Sequence, residues 1–339
     1  MKILIVKLSA FGDIIHALPA LHDLLGRPEV EEVHWLVDTR YAFVTQLFPA
    51  QVVVHQVDLR GEHPLQSAWQ TIRTLRQQHF NAVLDLQGLS KSAIIASLSG
   101  SPVYGMDVRH LREKFSRLLL NPVSFLDDER HVVQMYRRVA SAPFGNDGEV
   151  IAYTPPQSDP GIDTLHTGEA LLEHWKISGK RYVWLHLGGG WATKQLSLHA
   201  WQELAEDLTR EDIVPILGWG SEAEKLVAVQ VKEQVENALL PEHRLTMQAL
   251  CGVLTKAVAV VGPDTGVVHL AAALGTPTVS FWGPSASWRS APLGDKHRHI
   301  ETNPDCGPCF KRTCSAFICM DMVKAGDIMA AIHELSPNA

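Results

Sequence analysis

The stretch that most constrains this chain is Val260-Val261-Gly262-Pro263-Asp264-Thr265-Gly266-Val267-Val268-His269-Leu270-Ala271-Ala272-Ala273-Leu274-Gly275-Thr276-Pro277. Ala257 to Val261 is a short apolar run rich in β-branched residues, and Gly262-Pro263 ends it. Asp264 is then placed to cap a helix that buries Val267, Leu270, Ala271 and Leu274 on one face. The pattern is strand, turn, helix. The start of such a helix offers unpaired N–H groups and the positive end of its dipole, and Gly266 allows close approach to the backbone, so a phosphate or diphosphate fits there. His269, four residues after Thr265, faces the same region. A plain βα unit with Asp264 as its cap has this pattern too, so the ligand reading needs a second element.

That element is Leu187-Gly188-Gly189-Gly190-Trp191-Ala192-Thr193-Lys194, which follows one apolar run and precedes a helical pattern. Its glycines let backbone N–H groups turn inward, and Lys194 adds a mobile positive charge. The spacing is neither that of a P-loop nor G-x-G-x-x-G, so ATP hydrolysis and a dinucleotide fingerprint are unsupported. Leu217-Gly218-Trp219-Gly220-Ser221-Glu222-Ala223-Glu224 is a third strand-to-helix junction, where Glu222 or Glu224 is placed to accept hydrogen bonds from ribose hydroxyls. Glutamates in a first helical turn are also favoured by the dipole alone.

A length of 339 residues, 46% of them hydrophobic, exceeds one ordinary core and indicates two domains. Strands at Ile3–Val6, 32–37, 52–54, 82–86 and 103–106 alternate with helical patterns at 13–25, 41–47, 65–78 and 91–98. A Pro, Gly, Asp and Ser-rich stretch follows. Strands at 182–187, 213–217, 257–261 and 278–282 then alternate with helices at 197–208, 222–236 and 247–254. This alternation predicts two parallel sheets wrapped by helices. The expected division is a first domain at 1–150, a linker at 151–179, a second domain at 180–320, and a last helix near 321–339 that reaches back to the first domain.

A net charge of −7 argues against a general nucleic-acid binder. Basic residues nevertheless gather at Arg109, Arg112, Lys114 and Arg117, with Arg130, Arg137 and Arg138 beyond; such a run is either a solvated face or a surface for a polyanionic partner. The start, Met1-Lys2-Ile3-Leu4-Ile5-Val6-Lys7, is too short for a signal-peptide core and leads into Gly12-Asp13 rather than a cleavage site. No apolar run reaches about 18 residues. The expectation is a cytoplasmic protein whose surface can dock on a bilayer. Four of five cysteines cluster at Cys306, Cys309, Cys314 and Cys319. Their spacing is not that of a common zinc module, so bound metal and reduced thiols in a local loop are both open readings. Lys7 and Asp13 bracket the first turn, where a carboxylate serves either as a helix cap or as the base that takes a proton from an attacking hydroxyl.

With these residues in view, the chain resembles the bacterial lipopolysaccharide heptosyltransferases, glycosyltransferase family 9. Ile3-Leu4-Ile5-Val6-Lys7-Leu8-Ser9-Ala10-Phe11-Gly12-Asp13-Ile14-Ile15-His16-Ala17-Leu18-Pro19 looks like the N-terminal signature. Val83-Leu84-Asp85-Leu86-Gln87-Gly88-Leu89-Ser90-Lys91-Ser92 and the Gly262 to Leu274 segment match two more. Tyr104-Gly105-Met106-Asp107 with Arg112-Glu113 resembles the members that add the first heptose. The resemblance implies a GT-B fold, two Rossmann-like domains facing a cleft. It implies inverting transfer of heptose from ADP-heptose to the Kdo region of the inner core, with no metal needed for the chemistry and with membrane contact made through the lipid substrate. Carried over by motif, Asp13 is the general base. Lys7, Gly12, Thr193, Lys194, Glu222, Asp264, Thr265, Gly266 and His269 serve the donor, and Arg60, Lys91, Arg109 and Arg112 serve the anionic acceptor. Two departures stand out. Gly188 to Trp191 replaces a threonine-rich loop, and the cysteine cluster resembles that of other family 9 members. The competing readings are another family 9 transferase, such as one acting at the second heptose or on a different nucleotide sugar, or a regulatory module that binds a nucleotide or metal.

Overall fold

A computed structural model describes residues 1–111, 113–145 and 148–336 of the chain. It divides into two compact units, Met1–Pro156 and Gln157–Ala339. Arg112, one of the expected acceptor residues, lies outside the described residues.

The first unit is built on a fully parallel sheet of β1 (Lys2–Val6), β2 (Glu32–Asp38), β3 (Val53–Val57), β4 (Ala82–Asp85), β5 (Val103–Met106) and β6 (Asn121–Val123), in the order β3-β2-β1-β4-β5-β6. Central strands of such a sheet are covered on both faces, which is why Ile3, Leu4, Ile5 and Val6 form an uninterrupted apolar run and are all 0% exposed. The helix expected at 13–25 is two helices, Phe11–His16 and Leu18–Leu25. Pro19 explains the break, because its missing N–H suits the first turn of a new helix and not the interior of an old one.

The second unit carries β7 (Tyr182–His186), β8 (Val214–Gly218), β9 (Ala259–Pro263), β10 (Thr278–Trp282) and β11 (His297–Glu301), all parallel, in the order β11-β10-β9-β7-β8. Its core joins Trp201, Leu204 and Leu208 to Leu217, Val261, Val279 and Phe281, with the Trp201 and Phe281 rings edge to face at 5.8 Å. The edge strands β6 and β11 escape sequence reading, since Asn121-Pro122-Val123 and His297-Arg298-His299-Ile300-Glu301 carry no apolar run. The last helix is shorter than expected, Ala325–Leu335, and its Ile328 and Ile332 belong to the second unit's core.

The stretch expected as linker to residue 179 contains a helix, Ile162–His174, within the second unit. Turn formers dominate only its approach; from Ile162 onward the sequence is helical. This helix crosses Met247–Thr255 at paired glycines, so closely that a Cβ on Gly252 would lie 2.4 Å from the Thr164 carbonyl oxygen. Alanine is favoured over glycine in a helix by about 1 kcal/mol, but overpacking of this kind costs about 1–3 kcal/mol, and the clash is with backbone. Gly252→Ala is therefore expected to lower the urea unfolding midpoint. Gly326→Ala, where a Cβ meets nothing within 4 Å, should leave it unchanged or slightly raised.

Candidate functional site

In open parallel sheets, ligands bind beyond the carboxyl ends of the strands where the strand order changes direction. In the second unit that point lies between β7 and β9. The two loops flanking it are the two that the sequence singles out. Lys194, from the loop after β7, places Nζ 2.6 Å from Asp264 Oδ2 and 3.1 Å from the Asp264 carbonyl oxygen, just after β9. His269 Nε2 sits 3.1 Å from Oδ1. Both carboxylate oxygens are thus engaged by side chains, Lys194 from the other loop and His269 from one turn into the helix. Asp264 does not cap the helix Gly266–Ala273: the cap position is Thr265, and among the described residues no side chain makes a cap hydrogen bond there. The helix start that the sequence assigned to an aspartate cap carries no side-chain cap.

Burial opposes ionisation of Asp264, but the His269 hydrogen bond and the Lys194 charge outweigh it and hold its carboxyl far below the ordinary value of 3.8. The glycines before Lys194 serve packing. A Cβ on Gly189 would approach Lys194 Cβ to 2.8 Å, and one on Gly188 would fall on the Glu224 carboxylate. The Lys194 ammonium lies 4.3 Å from the Trp191 ring centroid. Thr193 is buried and donates its hydroxyl proton to the Lys311 carbonyl oxygen at 2.7 Å, so that proton is not aimed at a ligand. Of the two glutamates beyond β8, Glu224 accepts from the Gly220 N–H at 2.6 Å and from Ser221 N–H at 3.2 Å, closing a reciprocal cap with Ser221. Glu222 is exposed at the first position of the same helix, which leaves it the better placed of the two for a ribose. His186, at the end of β7, is buried, and burial lowers its pKa to about 4 against the opposing pull of Glu224.

In the first unit the order changes direction between β1 and β4. Lys7, 1% exposed at the end of β1, donates to the Leu86 carbonyl oxygen at 3.0 Å and to Tyr136 Oη at 2.7 Å, and its Nζ is 3.9 Å from Asp13 Oδ2. The turn that carries Gly12 and Asp13 is fixed from β4: Gln87 Oε1 accepts from the Leu8 and Ser9 N–H groups at 3.0 and 2.9 Å. Two carboxylates meet here, and exposure separates their roles. Asp85 is 0% exposed and accepts from Gln87 N–H, Gly88 N–H and Ser92 Oγ. Burial raises its pKa to about 6 against those hydrogen bonds, but no substrate can reach it. The Asp13 side chain is 22% exposed, and of its oxygens Oδ2 accepts from Ala10 N–H at 3.4 Å.

The expected acceptor residues follow successive strands on the same edge of this sheet: Arg60 after β3, Lys91 after β4 and Arg109 after β5. Arg60, Lys91 and Arg109 are all exposed, and the Arg109 guanidinium is paired with Asp107 at 2.9 Å. The four clustered cysteines are free thiols, and among the described residues no three His, Cys, Asp or Glu side chains converge as metal ligands. Sequence reasoning missed Tyr136, Gln87 and the Lys311 carbonyl. Glu224 had a usable signal, since Ser221-Glu222-Ala223-Glu224 is a capping-box spacing.

Replacing Asp264 by Asn strands the Lys194 charge and is expected to cost about 3 kcal/mol or more. A depressed carboxyl contributes stability that is complete above its unfolded value near 3.8 and is lost as pH falls through the folded one. The difference in urea midpoint between wild type and Asp264→Asn should therefore be constant from about pH 8 to pH 5 and narrow below about pH 4. A gap that widens in acid would contradict the ion-pair account.

Comparison with known proteins identifies the family. The family model for glycosyltransferase family 9 (heptosyltransferase) matches residues 68–318. Lipopolysaccharide heptosyltransferase 1 of Pseudomonas aeruginosa is 32% identical over 329 residues, covering 93% of this chain and 88% of its own. Among solved structures, Escherichia coli heptosyltransferase WaaC with ADP aligns at a TM-score of 0.76 and 23% identity, over 99% of this chain and 100% of that one. The same enzyme with ADP-2-deoxy-2-fluoro heptose aligns at 0.75 and 24%, over 98% and 99%. The likeness to these structures identifies the fold as GT-B. The family match across residues 68–318 and the 32% identity over 93% of the chain together make this chain a member of glycosyltransferase family 9.

Proposed function

We propose that the protein transfers heptose from ADP-heptose to the Kdo region of the lipopolysaccharide inner core, with inversion at the anomeric carbon and with Asp13 as general base. The observation that carries this reading is the uncapped start of the helix Gly266–Ala273 beside Lys194, the arrangement a departing diphosphate requires. Breaking the bond between the anomeric carbon and the diphosphate oxygen develops negative charge on the leaving group, and preorganised N–H groups and a cation lower that barrier. The acceptor hydroxyl oxygen forms the new bond to the anomeric carbon, its proton passes to the Asp13 carboxylate, and ADP leaves with the electron pair. Lys7, wholly buried, holds Asp13 in place and offsets its charge.

The 32% identity to lipopolysaccharide heptosyltransferase 1 of Pseudomonas aeruginosa favours the Kdo-proximal step over the second. Arg60 and Lys91 supply charge for an acceptor that carries phosphates and carboxylates. No helix among the described residues is long and apolar enough to cross a membrane. In this reading the lipid of the acceptor brings enzyme and bilayer surface together.

Loss of a general base lowers turnover by about 10²- to 10⁴-fold. With ADP-heptose and a Kdo-terminated lipid A acceptor, Asp13→Asn and Asp13→Ala should both fall that far in kcat while ADP affinity, read by calorimetry, stays within about twofold of wild type. Turnover that survives either substitution would remove Asp13 as the base.

A further inference from the structure

We propose that Arg312, carried by the cysteine-rich loop, is a donor-binding residue that supplies positive charge to the diphosphate. The proposal rests on the donor reading of the second unit and adds a residue to it.

The starting point is a charge count. Lys194 is the cation that the glycine-rich loop brings to the site, but it is paired with Asp264 at 2.6 Å. Lysine and carboxylate cancel, leaving the helix terminus, worth about half an elementary charge, to meet a doubly charged diphosphate. A further cation is needed, and the structure holds one within reach. The Arg312 guanidinium carbon lies 5.3 Å from the centroid of the Trp191 ring, the ring that Lys194 approaches to 4.3 Å. Cation–aromatic attraction at an exposed site is worth only about 0.5–1 kcal/mol. The ring alone therefore holds the Arg312 charge only weakly, and unlike that of Lys194 this charge is left for an anion bound beside the ring. Arg312 is exposed, and among the described residues no carboxylate pairs with it.

Its position is not accidental to a loose loop. The segment after β11 is tied to the carboxyl edge of the sheet at three places. Thr302 N–H donates to the Trp282 carbonyl oxygen at 2.8 Å, Phe310 N–H to the Pro284 carbonyl oxygen at 2.7 Å, and the Thr193 hydroxyl to the Lys311 carbonyl oxygen at 2.7 Å. The last bond joins the residue before Lys194 to the residue before Arg312. The two cations are thereby delivered together, one from each side of Trp191's loop. Cys319 packs against Gly283, whose added Cβ would come within 3.0 Å of its Sγ, so the far end of the loop is seated as well. In this account the loop's task is to carry Arg312. Thr193 contributes as a positioning residue through Lys311.

A charge-assisted hydrogen bond removed from a binding site costs about ten- to a hundredfold in affinity. Calorimetric titration of the full-length protein should show ADP binding weakened that far by Arg312→Gln and partly recovered in Arg312→Lys. Competition by adenosine, which has no phosphate, should remain within about twofold, and the ligand-free melting temperature should be unchanged because the side chain is exposed. Wild type that binds ADP, with Arg312→Gln binding it equally well, would overturn the role of Arg312 and leave the donor site standing. Wild type that binds neither ADP nor ADP-heptose would overturn both. Equal weakening toward adenosine and ADP would show a structural effect and also refute the proposal.

Discussion

Asp264 is a carboxylate held ionised beneath the surface, and the second unit's site is organised around that fact. An isolated buried charge is prohibitive, so the chain must bring a cation to it from elsewhere, and Lys194 arrives from a loop 70 residues earlier. Once it is there, the glycines that precede it have little freedom, because Gly188 and Gly189 are pressed against Glu224 and against Lys194 itself. His269, one turn into the following helix, completes the set by taking the second carboxylate oxygen. The carboxylate is therefore unavailable as a cap, and the helix terminus remains open. The proposed diphosphate site is this uncapped terminus beside Lys194.

The first unit solves a related problem with the signs reversed. Lys7 is a buried cation, satisfied by a carbonyl oxygen, a phenol oxygen and the nearby Asp13. Asp85, deeper still, spends its oxygens on the turn after β4, and that turn in turn fixes the loop leading to Asp13 through Gln87. One carboxylate builds the platform and the other is left partly exposed upon it. In each unit the group proposed to react or to face the ligand sits at the point where strand order reverses, which a parallel sheet makes the natural place for a cleft.

Much of this was legible in the sequence, for a reason that also marks its limits. Strands buried on both faces leave long apolar runs, so β1, β4, β7, β9 and β10 stand out, whereas the edge strands β6 and β11, with Pro122 and a His-Arg-His sequence, do not. Lys7, Asp13, Lys194 and the Asp264 segment were identifiable because each lies in a short strand-to-helix junction. What was not legible depended on distant partners. Asp264 reads as a cap because local sequence contains no sign of Lys194. Thr193, assigned to the donor by resemblance, donates to a backbone oxygen at Lys311, a partner that leaves no mark in side-chain spacing. The cysteine cluster drew attention to sulfur, whereas the structure ties that loop to the one carrying Lys194 through the Lys311 carbonyl and the approach of Arg312 to the Trp191 ring. The 162–174 helix was hidden by the Pro- and Gly-rich approach that precedes it.

The central claim, heptosyl transfer from an ADP-activated donor, is tested most directly by mass spectrometry of a Kdo-terminated lipid A acceptor incubated with the purified protein and ADP-heptose. The account requires the acceptor to gain a single heptose, with one ADP released per product formed. An acceptor whose mass is unchanged while the enzyme binds ADP, or one that gains a sugar only from a UDP- or GDP-linked donor, would contradict it.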